Sequence, residues 1–323
     1  MADVVCLGEL LIDFIPTVTG VDLGTAETFR KAAGGAPANV AAGLARFGIP
    51  SAFMGKVGED GFGRFLAGTL ASAGVNVDAL RFTDAARTAL AFVSLRADGE
   101  RDFLFYRNPS ADMLFAPEDV DEAAIRGAKI LHFGSISLIG EPSRSGTLHA
   151  VALAKRHGLR VSYDPNIRLP LWPDAEAARA GARLGLEQAE IVKIGEEEVS
   201  FLTGISDPVA GARALWHEHL SIMAITRGAA GCIWLTKDQH GTLPGFEVEA
   251  VDTTGAGDAF MAGFLAGLVG SPLQSLTPGA IEKICVFANA AGAVTTTSRG
   301  AIPSLPDGPT VLALIASRKG GGG

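Results

Sequence analysis

Between residues 130 and 226 the sequence carries four short apolar runs: ILHF at 130–133, VSY at 161–163, IVKI at 191–194 and IMAIT at 222–226. Several of these runs are apolar on successive residues, which is typical of β-strands that are covered on both faces. Helix-period stretches separate the runs, and two similar runs lie at 4–7 and 52–57. This alternation predicts an α/β fold, a three-layer α/β/α sandwich with a mostly parallel central sheet.

One region departs from this pattern. Segments 88–96 and 101–106 are predicted strands around Asp98-Gly99, a dipeptide that favours a tight hairpin turn. Together with 14–18 and 26–30, they predict a small β-sheet lid formed by residues 13–31 and 87–107, which would cover a ligand. An ordinary edge extension of the main sheet is the alternative. Residues 1–323 are otherwise predicted to form a single domain, with 318–323 as a disordered tail.

Composition excludes several classes of protein. The chain has 323 residues, of which 48% are hydrophobic and 19% charged, enough for a large buried core. The net charge of −8 argues against a nucleic-acid partner. No apolar run reaches membrane-spanning length, so no membrane partner is expected. Three widely spaced cysteines and an N-terminus without a signal-peptide pattern predict a cytoplasmic location, although earlier removal of a transit peptide stays open.

The segment DTTGAGDAF, residues 252–260, is the strongest candidate for chemistry. Gly255, Ala256 and Gly257 leave the backbone uncovered where a helix begins, so free N–H groups and the helix dipole would form a phosphate site. Asp258, in the first turn, would accept the proton of an attacking hydroxyl. The alternative is ordinary helix-start chemistry without a ligand. The segment is neither a Walker loop nor a dinucleotide fingerprint.

Three further residue groups are candidates for the same site. In GGAPANVAAGLARFG, residues 34–48, Gly34 and Gly35 permit close backbone approach, and Asn39 suits a polyol hydroxyl, unless the segment is simply a tight turn before a helix. Arg168 lies in DPNIRLPLWP, residues 164–173, just beyond a predicted strand, where α/β sheets bind ligands. It is either a phosphate clamp or a surface arginine. Asp13, past the first strand, is either a sugar-hydroxyl acceptor or a turn cap.

Together these segments resemble the ribokinase-like (PfkB) family of carbohydrate kinases, from residue 4 to about 306. GGAPANVAAGLARFG resembles the family's N-terminal signature and DTTGAGDAFMAGF its C-terminal one. Within the family, LGELLIDFIPT, ARTALAFVSLRADGERDF, FLFYRNPSADMLF, FGSISLI and DPNIRLPLWP resemble fructokinases of the plant type. The resemblance implies transfer of the ATP γ-phosphate to the 6-hydroxyl of D-fructose, which gives fructose 6-phosphate and ADP.

The resemblance also implies roles for individual residues. Asp258 corresponds to the general base, and Gly255, Ala256 and Gly257 to the anion hole. Arg168 matches a residue near the transferred phosphate. Positions that would contact the sugar are Asp13, Gly34, Gly35 and Asn39, with Tyr106 and Arg107 reaching down from the lid.

For the nucleotide, the resemblance implies contacts from Thr226, Gly228, Asn289 and Glu198. Mg²⁺ would bridge the terminal phosphates of ATP. A monovalent cation, usually K⁺, would bind beside Asp252 and Thr254. Gly195 stands where the broader family has the asparagine of an NxxE motif, so the metal arrangement departs from the family pattern.

Other functions remain as alternatives. The chain could phosphorylate another sugar, such as 2-keto-3-deoxygluconate or ribose, or serve as a non-catalytic fructokinase-like scaffold or a sugar-sensing binding protein. Apolar lid residues Phe92, Phe103 and Phe105 are expected to be exposed, and they predict a homodimer through the lid.

Overall fold

The computed structural model describes residues 2–18, 20–95 and 101–320, and gives the backbone alone for residues 94, 95, 101–103, 319 and 320. The strands of the described residues are, in chain order, β1 (Val4–Leu7), β2 (Leu11–Pro16), β3 (Phe29–Gly34), β4 (Ser51–Gly58), β5 (Leu80–Thr83), β6 (Leu90–Leu95), β7 (Arg101–Tyr106), β8 (Ile130–Gly134), β9 (Arg160–Asp164), β10 (Ile191–Gly195), β11 (Ile222–Thr226), β12 (Cys232–Leu235) and β13 (His240–Leu243). The α-helices are α1 (Ala36–Arg46), α2 (Gly61–Ser72), α3 (Glu122–Arg126), α4 (Ser143–Arg156), α5 (Ala175–Leu186), α6 (Glu196–Thr203), α7 (Pro208–Ala214), α8 (Ala256–Leu268), α9 (Pro278–Thr295) and α10 (Gly308–Gly320).

The larger sheet has the order β13-β12-β11-β10-β9-β8-β1-β4-β5. Neighbours from β11 to β5 pair in parallel, whereas β12 and β13 join one edge in antiparallel pairing. All six apolar runs of the sequence lie within strands of this sheet. The predicted mostly parallel central sheet is therefore confirmed.

Helices cover both faces of this sheet. Val4 of β1 packs in a buried cluster with Phe264 of α8, while its neighbour Val5 packs in a second cluster with Val151 of α4. Successive strand residues thus enter opposite cores, which is why the strands are apolar without alternation. The predicted three-layer α/β/α arrangement is confirmed.

The lid is a separate sheet with the order β3-β2-β6-β7. It is therefore not an edge extension of the main sheet. Strand β2 pairs antiparallel with β3 and parallel with β6, and β6 pairs antiparallel with β7. The first half of the lid is longer than the predicted 13–31, because β2 begins at Leu11 and β3 ends at Gly34. The predicted Asp98-Gly99 turn lies outside the described residues.

The root of the lid is fastened to the core by Asp60. Its carboxylate caps α2 by accepting hydrogen bonds from the N–H groups of Phe62 and Gly63, each at 2.9 Å. The same carboxylate accepts from the backbone N–H and the hydroxyl of Thr88, both at 2.9 Å. One side chain therefore fixes both a core helix and the chain entering β6.

The C-terminal prediction needs a correction. Helix α10 extends to Gly320, so residues 318–320 continue a helix and do not belong to a loose tail. Residues 321–323 lie outside the described part of the chain. None of the described helices is long and apolar enough to cross a membrane.

Candidate active site

A cavity of about 790 Å³ opens at the carboxyl edge of the parallel strands, with walls from both the core and the lid. It brings together thirteen of the residues singled out in the sequence. These are Asp13, Gly35, Asn39, Arg168, Glu198, Thr226, Gly228, Thr254, Gly255, Ala256, Gly257, Asp258 and Asn289. Ligands of open α/β sheets bind at this edge, so the cavity is the candidate active site.

The first turn of α8 provides an anion site in this cavity. Gly255 precedes the helix in the left-handed region at φ +80°, and a Cβ there would lie 3.1 Å from the Cα and Cβ of Ala301. The first amides of a helix lack partners within it, and its dipole favours negative charge. The 13-residue helix α8 thus directs its positive end at the cavity.

Asp258 lies in that first turn and is 9% exposed. Its Oδ2 accepts a hydrogen bond from Nδ2 of Asn39 at 2.7 Å, which joins the two glycine-rich segments across 219 residues of sequence. Burial raises the pKa of Asp258, while the Asn39 hydrogen bond and the charges of Lys193 and Arg168 oppose that rise. The result is an oriented carboxyl group beside an anion site, as a general base requires.

The Gly34-Gly35 pair makes room for the lid carboxylate. A Cβ on Gly34 would lie 2.1 Å from Oδ2 of Asp13, and a Cβ on Gly35, at φ +110°, would lie 2.3 Å from the carbonyl oxygen of Glu9. Gly34 itself does not line the cavity but allows Asp13 to do so. Asp13 lies inside β2, opposite Ala32, and therefore does not cap a turn. Burial raises the pKa of Asp13 to about 7, and Arg168 opposes the rise.

Thr226, Gly228 and Asn289, for which nucleotide contacts are predicted, also line the cavity. Glu198 has a structural task there. Its Oε1 accepts from the N–H of Ile167 at 2.7 Å and its Oε2 from the N–H of Gly195 at 2.8 Å. The carboxylate thereby joins the loop after β9 to the end of β10.

The donor set for metals is sparse. Among the described residues, no group of three His, Cys, Asp or Glu side chains could hold a metal ion. A divalent cation in this cavity therefore fits as a companion of nucleotide phosphates better than as a protein-held ion.

Asp252 does not line the cavity. Its Oδ1 accepts from the N–H of Thr254 at 2.9 Å and from the Thr254 hydroxyl at 2.7 Å, and its Oδ2 accepts from the N–H of Gly300 at 2.9 Å. These contacts join the segment that leads into α8 to the chain at Gly300.

Two lid predictions do not agree with the structure. Phe105 lines the cavity, and because side chains alternate along a strand, its neighbour Tyr106 faces away and is 58% exposed. Arg107 is buried and donates from Nε to Oδ2 of Asp112 at 2.9 Å, and it does not line the cavity. Arg107 thus anchors the end of the lid to the core.

The predicted apolar lid surface also changes. Phe92 pairs with Leu104 and Ala91 with Phe105, so Phe92 and Phe105 lie on opposite faces of the lid. The side chain of Phe103 lies outside the described residues. Leu104, which is 48% exposed, shares the outer face with Tyr106.

Sequence reasoning missed a buried ion pair at the cavity wall. Lys193 of β10 lines the cavity, and its Nζ donates to Oδ2 of Asp164 at 2.9 Å. The available signal was a lysine within an otherwise apolar strand, since lysine is almost never buried unless it is paired.

Comparison with known proteins shows the family of this chain. The profile described as pfkB family carbohydrate kinase matches residues 1–308, and the chain therefore belongs to the pfkB family of carbohydrate kinases. Among curated relatives, Fructokinase-2 of Solanum habrochaites is 49% identical over 321 residues, which cover 98% of this chain and 96% of the relative.

Two solved structures extend the comparison. The fructokinase of Xylella fastidiosa with bound ATP superimposes with a TM-score of 0.90 at 36% identity, over 99% of this chain and 100% of that one. A fructokinase double mutant from Vibrio cholerae O395, with fructose, ADP and potassium ion bound, gives a TM-score of 0.87 at 35% identity over 97% and 98% of the two chains.

Proposed function

We propose that this chain is an ATP-dependent fructokinase that transfers the γ-phosphate of ATP to the 6-hydroxyl of D-fructose. The observation that carries the proposal is the hydrogen bond between Asn39 and Asp258 at the positive end of α8, inside a cavity with room for both reactants. Curated relatives named fructokinase, at about half identity over nearly the whole chain, support the same substrate.

The chemistry follows from the geometry. The Asp258 carboxylate accepts the proton of the 6-hydroxyl while that oxygen forms a bond to the γ-phosphorus, and the bond from phosphorus to the β,γ-bridging oxygen breaks to leave ADP. The first amides of α8 stabilise the charge on the transferred group. Asp13 and Asn39 hold sugar hydroxyls, and Arg168 contacts the phosphate. Mg²⁺, when bound with the nucleotide, supplies neutralisation of phosphate charge.

An ATP-consumption assay across fructose, glucose, ribose and 2-keto-3-deoxygluconate tests this function. Fructose is expected to give the highest kcat/KM, and phosphorus NMR of the product should place the new ester on C6. A higher kcat/KM for ribose or 2-keto-3-deoxygluconate would assign the chain to another sugar. No turnover with any sugar, despite a folded protein, would favour the scaffold or sugar-sensing alternatives.

We also propose that K⁺ binds beside Asp252 and Thr254. The position of Thr254 on the cavity wall supports this site. So does the potassium ion bound in the Vibrio cholerae fructokinase, which is 35% identical to this chain. Activity is expected to rise several-fold in KCl over NaCl at equal ionic strength, and Asp252→Asn should reduce that ratio. Equal activity in the two salts would contradict the proposal.

We further propose a homodimer that forms through the outer faces of two lids. The exposed side chains of Leu104 and Tyr106 support this surface, because large apolar groups on one face favour association. Leu104→Asp is expected to convert a dimer into a monomer in light scattering. Arg156→Asp, at an exposed position of α4, is the control that should leave the mass unchanged. A single-chain mass for the unmodified protein at all concentrations would reject the dimer.

The cytoplasm is our proposed location. Cys6, Cys232 and Cys285 are all buried and free, which suits a reducing compartment. Fractionation of the native cells, with detection by antibody, should recover the protein with cytoplasmic markers. Recovery with an organelle marker would contradict this location.

A further inference from the structure

Lys193 is a buried cation on the wall of the cavity that the mechanism above does not use. Its side chain is 8% exposed, and that of its partner Asp164 is 3% exposed. Val192 pairs with Tyr163, so Lys193 and Asp164 follow that pair on neighbouring strands at the carboxyl edge of the sheet. The ammonium is therefore held at the edge where the chemistry takes place.

The ammonium also lies against the first turn of α8. A Cβ built on Gly257 would lie only 3.1 Å from Nζ of Lys193. Gly257 belongs to the anion site, and Asp258 follows it directly. The positive charge of Lys193 thus lies next to both the anion site and the proposed general base, Asp258.

Several carboxylates lie close to Lys193, so a positive charge there reduces their mutual repulsion. The ionisable groups facing Asp258 are Asp13 on β2, Asp164 on β9, Lys193 on β10 and Arg168 in the loop after β9. Glu198 of α6 adds a further carboxylate near Lys193. These four carboxylates, Asp258 included, face two cations beside a cavity that must also admit the phosphates of ATP. Glu9 and Glu197 add two more carboxylates to the cavity wall, and Asp252 acts on Asp13. Loss of Lys193 would leave Arg168 as the single cation among these groups.

We propose that Lys193 is a positioning residue for phosphoryl transfer: held by Asp164 against Gly257, its ammonium supplies fixed positive charge beside Asp258 and the anion site. This inference rests on the proposed kinase function. Burial alone would lower the pKa of Lys193, but the charges of Asp164, Glu198 and Asp258 raise it, so the side chain stays protonated. In turn, Lys193 opposes the effect of burial on the pKa of Asp258.

A purely structural ion pair is the competing explanation, and a paired substitution separates the two. Replacing both members of a buried pair by apolar residues of similar volume is often neutral or stabilising, whereas removing one member leaves an uncompensated charge. The double variant Lys193→Met with Asp164→Val, whose side chains are closer in volume to the originals, should therefore fold even if Lys193→Met alone does not. Its midpoint of urea unfolding is expected to be at least that of the unmodified protein.

The test compares kcat/KM for fructose against pH in the unmodified protein, the double variant, the single variant Asp164→Val and Lys193→Arg. We expect the double variant to lose about 10²–10³-fold in kcat/KM at neutral pH, as for removal of a preorganised charge donor. Its acid limb should lie at higher pH than that of the single Asp164 variant, which lacks the same carboxylate but keeps the lysine, because Asp258 without a neighbouring cation protonates more readily. Lys193→Arg keeps the charge, so its acid limb should stay in place. Lys237→Met, an exposed lysine, is the matched control and should match the unmodified protein.

Two results would overturn the inference. One is a folded double variant whose kcat/KM stays within about threefold of the unmodified protein, which would make the pair structural. The other is lost activity with an acid limb no higher than that of the single Asp164 variant, which would show that Lys193 has no effect on the pKa of Asp258. Failure of the kinase function itself would look different, because the unmodified protein would then phosphorylate no sugar of the panel.

Discussion

Asp258→Asn is expected to lower kcat for fructose by about 10²–10⁴-fold, the usual contribution of a positioned general base. The asparagine can keep the contact with Asn39 through its own oxygen, but it cannot accept the hydroxyl proton. Because burial raises the pKa of Asp258, the unmodified protein should lose kcat/KM as the pH falls through a range above that of a free aspartate. This acid limb should be absent from the residual activity of Asp258→Asn.

Steady-state kinetics over pH, with ATP binding measured by calorimetry, checks this expectation. Asp238→Asn makes the same change at an exposed position and should leave the rate unaltered. Near-normal turnover in Asp258→Asn would remove Asp258 from the role of base. A complete loss of ATP binding would point to a folding defect.

Arg168→Ala is expected to reduce kcat/KM by about 10²–10³-fold, the range for loss of a preorganised donor to a developing charge. Arg168 lines the cavity, and its charge lowers the pKa of Asp13, Asp164 and Asp258 against the larger effect of burial. Its Nη1 bonds the adjacent Ile167 carbonyl at 3.2 Å. The guanidinium is therefore positioned by its own loop and directed at the reacting region.

Arg168→Lys separates charge from shape in this prediction. Lysine keeps the positive charge but lacks the planar fork that bonds a phosphate with two parallel N–H groups. We expect an intermediate kcat/KM for Arg168→Lys, with most of the loss in kcat. Unchanged kcat/KM for both substrates in Arg168→Ala would count against a phosphate contact.

The main sheet could be predicted from the sequence because a strand that is buried on both faces needs apolar residues at successive positions, and such runs are easy to recognise. The run at 191–194 still predicts a strand although it includes Lys193, since its neighbours are apolar and β-branched. The start of the lid was harder to predict. Leu10 to Ile12 are apolar like a core strand, but Leu11 and Asp13 line the cavity while Ile12 enters the core, an alternation that belongs to a one-sided sheet.

The candidate site was predictable where local chemistry marks it. Glycines before a helix and an acid in its first turn identified the segment around Asp258 without reference to the rest of the fold. The sequence could not predict which face of the lid carries the side chain of Tyr106. A shift of one residue in strand register moves every side chain of the strand to the other face of the sheet. The pair of Lys193 and Asp164 spans 29 residues and forms only when their strands lie side by side.

The two carboxylates proposed to act on the sugar, Asp13 and Asp258, come from different layers of the molecule. Asp13 belongs to a lid strand, whereas Asp258 belongs to a core helix. Under the roles proposed above, both layers must therefore lie over the ketose before both carboxylates can contact it. Any displacement of the lid that lets water into the cavity also moves Asp13 away from the sugar. When ATP is bound without sugar, the groups that would act on the acceptor are therefore not in place. The rate of ATP hydrolysis by water should then be a small fraction of the rate of sugar phosphorylation.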